Sequence, residues 1–433
     1  MNIEKIVDNR LGIYYGWVIV GVTLVSFAFW FGIRTSFSVF YVALLEEFGW
    51  DRADSAGVQS AALICYTLLS PAVGVLIDRF GPRRVMIPGI LLLAAGLLLC
   101  FFIETLGQFY LFFGIIAGSG NTCIGVISYS VILAHWFEKK RGMASGIAAS
   151  GIGIGTFTLV PMCQHFISAL GWRMTFVLLG ALVLMIVFPL NAVFLRHKPR
   201  ELGLFIDGRS GGGAADDTDP GGEALVRPAA DWTIRRALGS VHFWALLAFP
   251  FLSASGLFII LVHNVTFLVD HGVDKMAAAY MFAMAAVFST LSRIFWGWLS
   301  DRSGREITFT TGAFFLCLGA GSLLMYDAAG TDGFVYTFFI FFGMGWGVLA
   351  PMFMAVAADL FKGRAFGLIF GFVEACIGAA GALGSWAAGL IFDITRSYRM
   401  AFTTAIAGFI LSCIFVWIAA PRKADRIRNR LVV

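Results

Sequence analysis

Apolar residues gather along this chain in twelve long runs, and polar residues are left to the connectors between them. Each run is long enough to cross about 30 Å of hydrocarbon as a helix, which takes roughly 20 residues. The runs cover 15–44, 54–77, 85–104, 108–136, 142–169, 172–195, 241–269, 276–300, 306–326, 333–358, 365–391 and 398–420. One connector differs from the rest. Residues 196–236, with "GRSGGGAADDTDPGGE" at their centre, are rich in Gly and Asp and read as a flexible linker. Six runs lie on either side of it. The pattern predicts an all-α membrane protein: a six-helix bundle over 1–195, a linker over 196–236, and a second six-helix bundle with a basic tail over 237–433. The first run lacks a small-residue cleavage signature and reads as a retained helix, not a signal peptide. Ahead of it, Ile3, Ile6, Val7 and Leu11 recur at helical spacing, which suits a helix lying on the membrane surface or a frayed terminus.

The two halves resemble each other. "GVLIDRFGPRR" from Gly74 pairs with "GWLSDRSGR" from Gly297, "KKRGMASGIA" with "KGRAFGLIFG", and "GWRMTF" with "SYRMAF", at offsets of 223, 223 and 226 residues. Three matches at nearly one offset mean two copies of a six-helix unit. That arrangement sets a substrate site between the halves, at the bilayer midplane.

Composition agrees: 59% of residues are hydrophobic, 13% are charged and the mean hydropathy is +0.85, which excludes an ordinary soluble protein. Of the 31 Lys and Arg, 24 fall on the side that holds both termini and the linker, which predicts that this side is cytoplasmic. The net charge of +5 is spread over short loops and points to no nucleic acid. The seven Cys all lie in apolar runs without C-x-x-C spacing, so they read as packing residues, not a disulfide framework or a zinc site. "GIGIG" at 151–155 follows no strand, and there is no Walker A motif, so neither nucleotide binding nor direct ATP drive is expected. Paired carboxylates, a His cluster or a nucleophile–base pair deep in the bundle would mark an enzyme; the sequence has none, and no cofactor is expected.

A few polar groups remain inside the runs. Arg293 lies seven residues, or ~10 Å, from the inner end of helix 8 at Ser300. A guanidinium at that depth costs at least ~2.5–3.5 kcal/mol. It reads either as a structural ion-pair partner or as an anion site, where its planar fork matches a carboxylate. Asn121, beside Gly118 and Gly120 in helix 4, offers an amide to a substrate or to a neighbouring helix. His263 and Asn264 come late in helix 7, toward the outer mouth; Asn264 is a candidate substrate-binding residue and His263 a candidate proton relay. Glu374 in helix 11 lies near the midplane, a candidate proton carrier and a candidate partner for Arg293 in an empty site. Arg34 is near the outer end of helix 1.

Over essentially its full length the chain resembles the major facilitator superfamily. "GVLIDRFGPRR" is similar to that superfamily's loop 2–3 motif, with Gly74, Asp78, Arg79, Gly81, Arg83 and Arg84 in place; the second copy keeps Gly297, Asp301, Arg302, Gly304 and Arg305. Asp78 can face the positive N-terminus of a neighbouring helix while the arginines stay among headgroups, a cytoplasmic gate that breaks when the halves rock. "WFEKKRGMASGIAASGIGIG" resembles the monocarboxylate transporter family's signature at helix 5 through Phe137, Lys139, Arg141, Ala144, Gly146, Ala148, Gly151 and Gly155. The small residues there permit close helix packing. "YYGW" keeps Gly16 and Trp17 of the family's helix 1 signature without its acidic residue, which suits a bacterial relative in the cytoplasmic membrane.

The resemblance implies that Arg293 binds substrate, since the family carries such an arginine in helix 8. It also implies an acidic residue in the region of Glu374, and a lysine in helix 1 that aligns with Thr35, one position from Arg34. The aspartate that the family usually has one turn before the arginine is Ser289 here, and a hydroxyl cannot carry a proton at ordinary pH. The function expected is a secondary carrier of small monocarboxylates, lactate or pyruvate, in symport with a proton, embedded in a lipid bilayer. The alternative is an oxalate/formate-type anion exchanger; that branch adds a lysine in helix 11, where this chain has Glu374.

Overall fold

The computed structural model describes residues 14–50, 52–208, 232–273, 275–361, 363 and 365–423. The segment holding Ile3 to Leu11, the centre of the linker, Arg364 and the end of the basic tail lie outside them. Among the described residues the secondary structure is helical, with no strand. The first crossings are α1 (Gly16–Phe48), α2 (Arg52–Phe80), α3 (Pro82–Leu99) and α4 (Leu106–Trp136). Arg141–Phe194 runs for 54 residues, more than twice what a bilayer needs, and breaks at Gly171, whose φ is 80°. It therefore supplies two crossings, α5 (141–170) and α6 (172–194). α7 (Val241–Asp270), α8 (Lys275–Ser303), α9 (Arg305–Ala329), α10 (Gly333–Leu360), α11 (Phe366–Thr395) and α12 (Arg399–Ala419) complete twelve.

The helices overrun the apolar runs by a few residues, as at Phe48 and Phe80, because the hydrogen-bond ladder continues past the hydrocarbon. α4 departs further from expectation. It has a π-helical segment at Tyr110–Ala117, resumes as α over Gly118–Cys123, and breaks at Ile124 and Gly125 before Val126–Trp136. Such irregularities are frequent at functional sites, and Asn121 sits between this pair.

α1 packs along α5, and α3 along α4 and α6; in the second bundle α7 packs on α11 and α12, and α10 on α8 and α9. The bundles meet along two seams, α5 with α8 and α2 with α11. Both seams begin with backbone against backbone. A Cβ added to Gly297 would stand 2.3 Å from the Gly142 carbonyl oxygen, and one on Gly74 would stand 2.2 Å from that of Gly367. No side chain fits at either point without parting the bundles. Both seams are also capped by the repeated aspartate. Asp301 accepts from the Gly142 and Met143 amides, each at 2.8 Å, and Asp78 accepts from the Gly367 and Leu368 amides at 2.7 and 2.8 Å. Each carboxylate thus closes the positive end of a helix in the other bundle. Gly81 (φ 82°, ψ 153°) and Gly304 (φ 90°, ψ 160°) make the same sharp reversal into α3 and α9, which only glycine makes cheaply. Arg79, Arg83, Arg84, Lys139 and Arg302 surround these contacts, and this end of the molecule is called the basic end below.

Candidate functional site

α8 carries Arg293 ten residues up from Ser303, about 15 Å along the axis. Its side chain is 3% exposed. Nη1 donates to the Ala149 carbonyl of α5 at 2.6 Å, and Nη2 reaches Ser289 Oγ at 3.4 Å. Nε is buried without a partner, and the guanidinium lies 6.0 Å from the centroid of the Trp346 ring of α10. Among the described residues no carboxylate pairs with it. A full cation thus rests on one backbone carbonyl and a hydroxyl, with a donor to spare.

The pairing of Arg293 with Glu374 expected for an empty site does not occur. Glu374 is 5% exposed and accepts a 2.5 Å hydrogen bond from Tyr66 Oη of α2. The reason is topological. α8 faces α5 while α11 faces α2, so the two residues belong to different seams. The cation that acts on Glu374 is Arg34 of α1, whose guanidinium lies 5.9 Å from the Tyr66 ring centroid.

Asn121 belongs to this second group. With Arg34, Gln59, Tyr66 and Gly118 it lines a cavity of about 30 Å³ between α1, α2 and α4. Asn121 Oδ1 and Gln59 Oε1 are buried there without partners. None of the described contacts joins Asn121 to Arg293. Asn264 is fully buried, and its amide nitrogen turns back on the Ile260 and Leu261 carbonyls of its own helix, so it is not open to a substrate in this state. His263 sits between α7 and α11, with Nε2 at 3.1 Å from the Ser385 carbonyl oxygen and its ring 5.4 Å from that of Tyr398. Thr35 bonds within α1 and to Thr156.

Toward the basic end, Asp359 of α10 binds Arg141 of α5 and accepts from Arg305 Nε at 2.9 Å, while Arg305 Nη1 reaches Asp301 at 2.7 Å. This chain of alternating charges locks the α5–α8 seam. The helix 5 residues take separate tasks within it. Phe137 packs on Tyr14 and Trp17, the Lys139 amide donates to Asp207, Gly146 lies against the Arg293 carbonyl, and Gly151 lies against that of Leu24 in α1. Arg79 stacks on Phe80, Arg83 donates to the Ala192 carbonyl and Arg302 stacks on Trp298. Sequence reasoning missed Tyr66 and Asp359. Tyr66 carries no signal, being one aromatic residue in an apolar run. Asp359 had one, as an acid at the end of a run just ahead of a basic loop.

Among the described residues, which leave out Lys362 and Arg364, the α2–α11 seam shows no such ion chain in the same place. His135 stands at the position in α4 that Asp359 holds in α10, one residue before the helix end. Around it a cavity of about 370 Å³ is lined by Asp78, His135, His197, Lys198, Gly363 and Phe366 among others. The His135 and His197 rings lie 4.8 Å apart. Burial, with Lys198 adding to it, pushes the His197 pKa down to about 4, so this imidazole is neutral near pH 7.

The chain is 28% identical over 409 residues to monocarboxylate transporter 13 of Bos taurus, covering 94% of this chain and 89% of that one. An MFS-type transporter of Bacillus subtilis, YcxA, is 24% identical, with 91% and 93% covered. The crystal structure of the transporter FucP in its outward conformation matches with a TM-score of 0.73 at 13% identity, over 94% of this chain and all of that one. The Major Facilitator Superfamily profile aligns with residues 20–370 and again with 294–431. Two six-helix bundles, capped across two seams by one repeated aspartate motif and matched by that profile over most of their length, place this chain in the Major Facilitator Superfamily of transporters.

Proposed function

We propose that this protein carries small monocarboxylates, lactate or pyruvate, across the cytoplasmic membrane of a bacterium, each with a proton, by rocking its two bundles about the bound substrate. The observation that carries this reading is Arg293, a buried guanidinium with one unpartnered N–H and no carboxylate. A carboxylate entering between the bundles supplies the missing counter-charge and replaces the Ala149 carbonyl as acceptor. Competition for those N–H groups links substrate binding to the α5–α8 seam. The names of relatives such as monocarboxylate transporter 13 support the same substrate class. Charge favours a monovalent anion over the oxalate-type alternative. Arg34 already has Glu374 within electrostatic reach, which leaves one net cation for the substrate. With the basic end cytoplasmic, as the distribution of Lys and Arg supports, the seams closed there make this an outward-facing state, and Asp78 and Asp301 are its inner latches.

Arg293→Gln and Arg293→Lys test this reading through binding of radiolabelled lactate and pyruvate to purified protein. Gln removes the charge, and Lys keeps it but loses the fork. Removing one member of a buried charge pair costs roughly 2–5 kcal/mol, which takes a millimolar affinity out of range. The expected result is no binding with Gln and strongly weakened binding with Lys, in proteins of normal melting temperature. Wild-type affinity in a folded Arg293→Gln protein overturns the assignment.

A further inference from the structure

The hydrogen bond from Tyr66 to Glu374 crosses from one bundle to the other, and it is the deepest of the bonds described here along the α2–α11 seam. We infer that the Arg34–Tyr66–Glu374 triad is the proton-coupling latch of this carrier: Glu374 must take up a proton before the α2–α11 seam can open at the basic end. This inference rests on the carrier reading above and adds to it the coupling site that Ser289 cannot provide.

When α2 and α11 part, Glu374 loses the Tyr66 hydroxyl and its distance from Arg34 grows. An ionised carboxylate stripped of donor and counter-ion inside a bundle is costly, and hydrogen bonds to charged acceptors are the strong ones. A neutral carboxylic acid loses much less. The step balances simply: one proton adds to the Glu374 carboxylate, and Tyr66 keeps its own. Ionised Glu374 therefore holds the seam shut, and the protonated form releases it.

A route for the proton is also present. The cavity lined by Arg34, Gln59, Tyr66 and Asn121 has a volume of about 30 Å³, enough to hold a water molecule. Its two unpartnered amide oxygens, on Asn121 and Gln59, are acceptors that a proton-bearing water would satisfy. The titratable and charged groups that act on Glu374 are Tyr66 from α2 and Arg34 from α1. Among the described residues, α4, α7, α10 and α12, which also contact α11, contribute none. The two seams thus divide the work. Substrate charge acts on α5–α8 through Arg293, and the proton acts on α2–α11 through Glu374. The proton releases the α2–α11 seam, and substrate alone leaves that latch shut, so the substrate crosses only with a proton.

The test uses full-length protein with spin labels at Glu46 and Thr331, exposed positions at the end of each bundle away from the basic end. In wild-type protein without substrate, falling pH should move the inter-label distance from a long to a short population, as release at the basic end lets the far end close. Glu374→Gln, which mimics the protonated acid, should favour the short population to the same extent at every pH while still sampling the long one. Tyr66→Phe should keep the transition but move it to higher pH, since the ionised carboxylate loses its donor. A pH response in Glu374→Gln identical to wild type, or none in wild type, overturns the latch. In proteoliposomes Glu374→Gln should retain lactate counterflow. It should lose the accumulation that a pH gradient of about one unit supports, about tenfold for one proton per substrate. Unchanged accumulation in this variant also overturns the proposal. If wild type moves neither lactate nor pyruvate, the carrier reading fails instead, and the spectroscopic arm still decides the latch.

Discussion

The α5–α8 seam and the α2–α11 seam start alike and end differently. Each has a glycine contact, an aspartate over two amides of the opposite bundle, and one charged group from α8 or α11 reaching toward the other bundle near the membrane centre. In the first seam that group is a cation resting on a carbonyl, with Arg141, Asp359 and Arg305 welding the basic end. In the second it is a carboxylate held by a phenol, and among the described residues the basic end has a cavity and two histidines where the first has its ion chain. The lesson is that internal duplication preserved the backbone hinge and let the charges diverge. One seam keeps an open place for an anion and the other keeps an acid.

Three experiments break or sharpen this comparison. The largest effect is expected at the shared glycines. Gly297→Val and Gly74→Val each drive a side chain into a backbone carbonyl of the opposite bundle. Overpacking of this kind costs about 1–3 kcal/mol. Both variants should shift the Glu46–Thr331 distance toward the short population, as the basic end stays closed only while both seams hold. A shift in only one of them shows that the seams are not mechanically equivalent.

The aspartates should show the asymmetry. Asp301 caps α5 and also binds Arg305, whereas Asp78 bonds the α11 amides alone among the described residues. Each bond to a charged group is worth about 1.5–3 kcal/mol. Asp301→Asn should therefore lower the melting temperature of the purified protein more than Asp78→Asn does. Equal losses remove the ion chain from the account of seam strength.

The smallest effect belongs to the histidine pair. His197 has its pKa lowered from the ordinary 6.5 to about 4 by burial, so the folded protein resists a proton that the unfolded chain accepts. Its contribution to stability is complete above pH 6.5 and declines as pH falls toward 4. His197→Gln should flatten the melting temperature between those limits, with a modest amplitude because the ring is partly exposed. A profile that remains as steep as wild type assigns the acid sensitivity to another group.

Much of this was legible along the chain. Twelve apolar runs, the offset between the halves and the repeated G-x-x-x-D-R-x-G pattern predict two six-helix bundles with aspartates at helix ends, because crossing hydrocarbon requires contiguous apolar length and a duplicated unit keeps its spacing. Arg293 stood out for the same reason, as a charge inside such a run. What could not be read was who meets whom across the membrane centre. Glu374 looked like a partner for Arg293 because both lie near mid-depth, yet depth along a helix says nothing of its rotation about its own axis or of its neighbours. Those are set by the glycine contacts that seat α8 on α5 and α11 on α2.

The sequence by itself determined the elements, their number and the polar groups that hydrocarbon makes expensive, since these follow from composition and local spacing. Only the tertiary structure decided that Arg293 stands apart from every described carboxylate, that Tyr66 is the partner of Glu374, and that Asn264 is shut away. Each of these depends on side chains up to 308 residues apart being brought within a few ångströms, and pairing over such separations is set by helix packing, which no local pattern records.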